Sequence, residues 1–416
     1  MKALMMDYPL TLTHFFERTR RLFSKKTLAT RAPGAAMFRY TYGDFAERAA
    51  RLAGALQALG IGKGDRVGTL AWNSHRHLEL YWAVPLTGAV LHTVNIRLSP
   101  ADLTYIINHA EDSVLFVDAS LWPTLEPIRN ELKTVRQYVV MPDTAGVIPT
   151  GGLEYESLLG DAHPVTAWPR LDEHDAAGMC YTSGTTGHPK GVVYSHRAIF
   201  LQSLTHATVD ALGLSERDVM LHVVTMFHAN AWCAPYAGTL VGATQIFAGP
   251  NPQPRDIARI IPQEKVTFVS GVPTVWLGVQ ALLEQEPVDL SSLRSIVVGG
   301  SAAPRSLIEA YEKKYGVRMV HAWGMTEMTP LGTISRLKSY MESWPEDRRI
   351  GVRAKQGYAV AAVDLRAMDE AGREVRGTAR RWVSFRRAAR GWPGPTITIP
   401  KGPRRSPRTA GSGPAT

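Results

Sequence analysis

The sequence predicts an α/β protein made of layered strands and helices, and three observations predict it. Short runs of apolar and β-branched residues recur, each about the length of a buried strand. Amphipathic stretches with helical spacing lie between them. Glycine-containing turns mark the passage from one to the other.

The elements follow in order. Thr41 to Leu59 reads as an amphipathic helix, because Phe45, Ala49, Leu52, Leu56 and Leu59 recur at helical spacing. Thr41 can cap its start and Gly60 can end it. Gly62-Lys63-Gly64-Asp65 then turns into an apolar strand, Arg66 to Ala71. These glycines precede the strand, which argues against a dinucleotide-binding fingerprint. Ser113–Val117 is a buried strand, and Val266–Val269 is another that ends at Gly271-Val272-Pro273. Ser295–Val298 is a third, followed by the loop Gly299–Pro304 and a helix through Tyr315. No short-period repeat is present.

Composition narrows the class. A chain of 416 residues, 45% hydrophobic and 20% charged, has room for two or three domains and a sizeable core. Cys180 and Cys233 cannot form a disulfide framework, which points to a reducing cytoplasm. Met1 to Phe23 carries Asp7, His14 and Glu17 and no long apolar run, so it reads neither as a signal peptide nor as a membrane anchor. The net charge of +10 is local. Residues 376–416 hold ten Lys or Arg and no Asp or Glu, and residues 1–375 balance at 37 of each sign. Past Val375 the chain is rich in Arg, Gly and Pro without periodicity and reads as disordered.

The chemistry concentrates in four segments. Tyr181-Thr182-Ser183-Gly184-Thr185-Thr186-Gly187-His188-Pro189-Lys190-Gly191 combines hydroxyls, glycines and one lysine behind the apolar Gly178-Met179-Cys180. Glycines let backbone N–H groups approach phosphate oxygens, hydroxyls donate further bonds, and the lysine supplies charge. It is not a Walker A loop, since Pro189 precedes Lys190 and Gly191 follows it. Met226-Phe227-His228-Ala229-Asn230-Ala231-Trp232 places aromatics beside a histidine. Gly299-Gly300-Ser301-Ala302-Ala303-Pro304 follows a strand, and its small residues would let a flat ring lie on the backbone. His321-Ala322-Trp323-Gly324-Met325-Thr326-Glu327 offers an aromatic face, a hydroxyl and a carboxylate able to hold magnesium. Taken singly, each reads as a surface turn, a strand-to-helix turn or core.

In this order and spacing the four segments resemble the adenylate-forming superfamily of acyl-CoA synthetases, luciferases and peptide-synthetase adenylation domains. The resemblance runs from about residue 10 to Val375. His228-Ala229-Asn230-Ala231-Trp232 and the Gly-Gly-Ser-Ala-Ala-Pro loop look most like the long- and medium-chain fatty acyl-CoA synthetases. It implies a large N-terminal domain of β/α layers with a distorted β-barrel part, residues 1–375, lacking the small C-terminal domain. It also implies ATP, Mg2+ and coenzyme A, with a fatty acid as partner, a homodimer, and no nucleic acid. A lipid substrate would allow transient membrane contact.

Residue by residue, the resemblance makes Thr182 and Glu327 magnesium ligands. Thr182, Ser183, Gly184, Thr185, Thr186, Gly187 and Lys190 would cradle the β- and γ-phosphates. Ser301, Ala302, Ala303, Ala322 and Trp323 would surround the adenine, and His321 would belong to the same nucleotide-binding set. Gly324 and Thr326 would lie near the α-phosphate. Ala229 and Trp232 would line the site, with Trp232 as a gate to the acyl tunnel. Lys190, His228, Thr326 and Glu327 would be the catalytic set. Two departures are visible: His188 stands where Leu or Lys is commoner, and Trp323 replaces a usual Tyr.

The same resemblance implies a Thr-Gly-Asp segment and a catalytic lysine beyond Val375, and neither is present. Reading each codon one base early lets Arg376–Arg386 spell Ala-Trp-Asp-Gly-Lys-Thr-Met-Gly-Glu-Leu-Gln. It lets Ser406–Thr416 spell Phe-Thr-Ala-Asp-Gly-Trp-Phe-Arg-Thr-Gly-Asp. Both are family-like, so residues 376–416 read as a frameshift product, and little turnover is expected of this chain. The alternatives are activation of an aromatic or short-chain acid, a catalytically dead nucleotide-binding remnant, and a nucleic-acid-binding protein that uses the basic tail.

Overall fold

Thr41 caps a helix, Tyr42–Ala58, as its place in the sequence predicts. Its hydroxyl accepts from the Asp44 N–H at 3.2 Å, and its own N–H donates to the Asp44 carboxylate at 2.9 Å. Gly60, at φ +76°, lets the chain leave the helix. This computed structural model describes residues 5–32, 36–143, 149, 151–182 and 188–365. They fall in one compact unit that ends at Leu365. The expected boundary at Val375, the basic tail and Ser183–Gly187 lie outside the described residues.

Two sheets form. Seven strands make the first, in the spatial order Leu153–Glu154, Gln137–Met141, Asp112–Asp118, Arg66–Leu70, Val90–Thr93, Ala176–Thr182 and Lys190–Ser195. All neighbours are parallel except the last pair. Nine strands make the second, in the order Tyr358–Ala359, Leu331–Ile334, Met319–Gly324, Ser295–Val298, Phe268–Gly271, Val219–His222, Thr244–Phe247, Thr27–Arg31 and Met37–Thr41. Its centre is parallel and its margins antiparallel. The layered α/β arrangement is the expected one, and no barrel closes among the described residues.

Apolar faces set the layering. Leu28 and Phe247 of the nine-stranded sheet share one core with Val67, Leu91, Phe116 and Val139 of the seven-stranded sheet. Helices Leu12–Leu22, Tyr42–Ala58 and His75–Leu86 fill the space between. Alternation sends Leu221, Ile246, Val269, Ile296 and Val298 to the opposite face, against helices Pro254–Gln263, Pro273–Leu283 and Arg305–Lys314. The outer face of the first sheet is covered by helix Pro100–Ala110 through Leu103, Ile106 and Ile107.

The strand expected at Val266–Val269 starts two residues late, at Phe268. Lys265 takes φ +50°, and the Val266 N–H donates to Ile261 O at 2.9 Å, so Val266 finishes the preceding helix instead of opening the strand. Among the described residues no helix is long and apolar enough to cross a membrane.

Candidate functional site

Open α/β sheets bind ligands at the C-terminal ends of their parallel strands. Ala176–Thr182 returns antiparallel as Lys190–Ser195, which sets Thr182 opposite Lys190. The Thr182 hydroxyl lies 3.4 Å from the Lys190 carbonyl. The Lys190 side chain is exposed and, among the described residues, makes no ion pair.

The nine-stranded sheet builds the other wall. Ser295–Val298 delivers Gly299 and Gly300, and Met319–Gly324 delivers Met325 and Thr326. Between them is a cavity of about 190 Å³. His228, Ala229, Trp232, Ala322, Trp323, Gly324 and Thr326, all expected at the site, line it. The Trp232 indole lies on the Gly299–Gly300 backbone; side chains there would stand 3.4 and 3.5 Å from the ring. A Cβ on Gly299 would also meet the Ala322 carbonyl at 2.8 Å, and one on Gly324 would meet the Pro330 carbonyl at 2.0 Å. Both strand ends are therefore restricted to glycine by close backbone approach. Trp323 packs its ring over Gly332.

His228 opens the turn that carries Trp232. Ala229, Asn230, Ala231, Trp232 and Cys233 have φ of 45°, 49°, 49°, 56° and 62°, a left-handed turn without one glycine. The turn is pinned from the other sheet, where Cys180 Sγ donates to Asn230 Oδ1 at 3.1 Å. Cys180 and Thr93 are register partners on adjacent strands, and their side chains meet at 3.2 Å. Both cysteines are free and buried. His228 remains exposed at the cavity mouth, while the protein around it lowers its imidazole pKa by desolvation.

Glu327 is exposed, and no described basic side chain pairs with it. It faces the Lys190–Ser195 strand. The buried Tyr194 phenol on that strand is pushed up by desolvation first, then by Cys180, and also by the Glu327 carboxylate. Glu327 and Tyr194 of the Lys190–Ser195 strand are thus within electrostatic reach of each other. Among the described residues no group of three His, Cys, Asp or Glu side chains could hold a metal alone. A hydroxyl and one unpaired carboxylate fit magnesium that takes its remaining ligands from substrate phosphates and water.

The cleft does not gather every expected residue. Ser301 and Ala302 are exposed and Ala303 is buried, and none of the three lines the cavity. His321 is buried with both ring nitrogens engaged: Nδ1 is 3.1 Å from the Ala354 carbonyl, and Nε2 accepts from the Ala303 N–H at 3.4 Å. It braces the Gly299–Pro304 loop and has no ring nitrogen left for a nucleotide.

Sequence reasoning missed the inner lining. Leu212, Ala234, Phe268, Val297 and Leu331 make it apolar, with His206 and Ser270 as polar exceptions. His206 Nδ1 contacts the Gln202 carbonyl at 2.7 Å; burial lowers its pKa, against the backbone bonds from Gln202 and Trp232. The apolar lining residues are scattered over a turn, helix Ala234–Val241 and the strands Phe268–Gly271, Ser295–Val298 and Leu331–Ile334, so no local motif marks them.

The family model described as AMP-binding enzyme matches residues 16–380. The chain belongs to the AMP-binding enzyme family. Within this family it is 51% identical over 372 residues to a long-chain-fatty-acid–CoA ligase of Thermus thermophilus, covering 89% of this chain and 67% of that protein. It is 38% identical to a medium-chain-fatty-acid–CoA ligase of Ectopseudomonas oleovorans, covering 88% and 68%. The chain thus spans about two thirds of the length of these relatives. The fold is similar to the inhibitor-bound N-terminal domain of FACL13 from Mycobacterium tuberculosis, with TM-score 0.76 at 24% identity, covering 88% of this chain and 86% of that one. It is also similar to a long-chain-fatty-acid–CoA ligase from Archaeoglobus fulgidus, with TM-score 0.77 at 23% identity, covering 89% and 73%.

Proposed function

We propose that the protein activates fatty acids with ATP. A carboxylate oxygen of the acid attacks the α-phosphorus of ATP, the bond to the bridging oxygen breaks, and pyrophosphate leaves to give an acyl-adenylate. The thiolate of coenzyme A then attacks the acyl carbonyl and AMP departs. The observation that carries this reading is the cavity in which Trp232, Trp323, Gly324 and Thr326 meet the apolar side chains Leu212, Ala234, Phe268, Val297 and Leu331. Long- and medium-chain ligases among the relatives support a fatty acid over an aromatic or short-chain acid.

In this reading the hairpin holds the β- and γ-phosphates, with the Lys190 ammonium offsetting their charge. The Thr182 hydroxyl and the Glu327 carboxylate hold magnesium, which would neutralise phosphate charge. The purine enters beside Trp323. Thr326 lies between nucleotide and acid, and His228 lies at the mouth of the acyl chamber. The rate then comes from alignment and charge neutralisation more than from acid–base chemistry. Free, buried cysteines accord with a reducing cytoplasm.

The test is exchange of labelled pyrophosphate into ATP, which reads the first half-reaction. Decanoate and palmitate should drive exchange well above butyrate and benzoate. Exchange driven only by benzoate or butyrate would overturn the fatty-acid reading, and no exchange with any acid, despite bound ATP, would favour the catalytically dead nucleotide-binding remnant.

A further inference from the structure

The outer face of helix Pro100–Ala110 carries an aromatic stack outside the cleft lining. Tyr105 and His109, one helical turn apart, share a side of this helix. The Tyr105 and His109 rings are stacked, with centroids 5.2 Å apart and planes 27° apart. Tyr105 is also stacked on His188, at 4.5 Å and 24°. His109 Nδ1 shares a hydrogen bond of 2.7 Å with the Tyr181 hydroxyl.

These contacts reach both flanks of the phosphate hairpin. Tyr181 immediately precedes Thr182, and His188 stands two residues before Lys190. The Tyr181 ring also covers Gly191, where a Cβ would sit 3.2 Å from Cζ. Beneath it, His92 lies 5.1 Å from the same ring and bonds through Nδ1 to Asp112 Oδ2 at 2.7 Å, both fully buried. Tyr181 is thus held from below, from the helix and by its opposite strand.

We propose that Tyr105 and His109 are positioning residues for the triphosphate: they hold the two flanks of the hairpin so that Thr182 and Lys190 stay in register for the β- and γ-phosphates. The proposal rests on the ATP-binding reading above. Neither residue touches substrate. Their effect passes through His188 and Tyr181, and ordering those flanks in advance removes that cost from ATP binding.

AMP lacks the two phosphates in question, so comparing it with Mg·ATP isolates the effect. Calorimetry on the full chain should show Tyr105→Ala and His109→Ala each weakening Mg·ATP about tenfold, with AMP affinity unchanged. Tyr105→Phe, which keeps the stack, should bind as the parent. His109→Ala and Tyr181→Phe should be non-additive, because they break the same bond. Equal weakening of ATP and AMP would reduce the cluster to general support and overturn the proposal. Unchanged ATP binding in Tyr105→Ala and His109→Ala would do the same. A parent protein that binds neither nucleotide would instead count against the ATP-binding reading, so the two failures are distinguishable.

Discussion

At Gly299 the whole site depends on one missing methyl group. A Cβ there meets a backbone oxygen at 2.8 Å, which cannot swing away as a side chain can, and it presses the Trp232 ring besides. Gly299→Ala should lower acyl-adenylate formation at least about tenfold, some 1.4 kcal/mol of lost binding or alignment. Gly160→Ala, with nothing within 4 Å, should leave it unchanged. Pyrophosphate exchange checks both. A second single-residue effect lies under the cleft. His222 is buried, its Nε2 is 2.7 Å from Gln245 Oε1, and burial lowers its pKa from 6.5 to about 4. Its folded pKa lies below its unfolded one, so between these values the unfolded chain binds more protons and stability falls as pH falls. From pH 7 to pH 5 this group should remove about 1–2 kcal/mol. His222→Gln should lose that much less over the same window in urea titrations, and equal slopes for the two proteins would contradict the linkage. Gly299 was legible in the sequence, as a small residue after an apolar strand. His222 was not, because a histidine inside a strand gives no sign of its burial or partner.

The Ala229–Cys233 turn poses the sharpest problem at the scale of an element. Left-handed backbone disfavours residues with a Cβ by roughly 1–2 kcal/mol each, and here five such residues follow one another. The anchor is Asn230, held by the Cys180 thiol, and Asn tolerates this region best among non-glycine residues. At Ala231 a glycine would relieve about 1–2 kcal/mol of strain while losing about 0.8 kcal/mol of methyl burial. Ala231→Gly should therefore be close to neutral in urea denaturation. Ala237→Gly, equally buried but inside the regular helix Ala234–Val241, should cost about 1–2 kcal/mol. Equal losses at the two sites would show that the turn is not strained. Regular elements with local signals were readable from sequence: the Thr41 cap, the Ser295–Val298 strand and the helix that follows Pro304. The left-handed turn was not, since Ala-Asn-Ala-Trp carries no glycine and its conformation is imposed by a strand of the other sheet.

For the whole molecule, the consequence is that ATP should act as a tie between the two sheets. Thr182 ends one strand of the seven-stranded sheet and Lys190 begins the next, while Gly299, Thr326 and Glu327 follow strands of the nine-stranded one. The shared core of Leu28, Phe247, Leu91 and Phe116 joins the layers by apolar contact, which leaves the cleft at their edge as the polar junction. A ligand that binds only the folded form at about 100 times its Kd stabilises it by about 2.7 kcal/mol. That corresponds to a rise of several degrees in melting temperature. Most of the rise should require magnesium, because the triphosphate otherwise brings its full charge to the exposed Glu327 carboxylate. Adding EDTA should therefore shrink the ATP-induced shift. Glu327→Gln should shrink the magnesium-dependent part while keeping the shift seen with AMP. Glu309→Gln removes only an exposed ion pair with Arg305 and should behave as the parent in every arm. Thermal unfolding of the three proteins with ATP, ATP plus EDTA, and AMP decides the matter. A full ATP shift in EDTA, or one retained by Glu327→Gln, would remove Glu327 from the metal site and leave the sheets joined by their core alone.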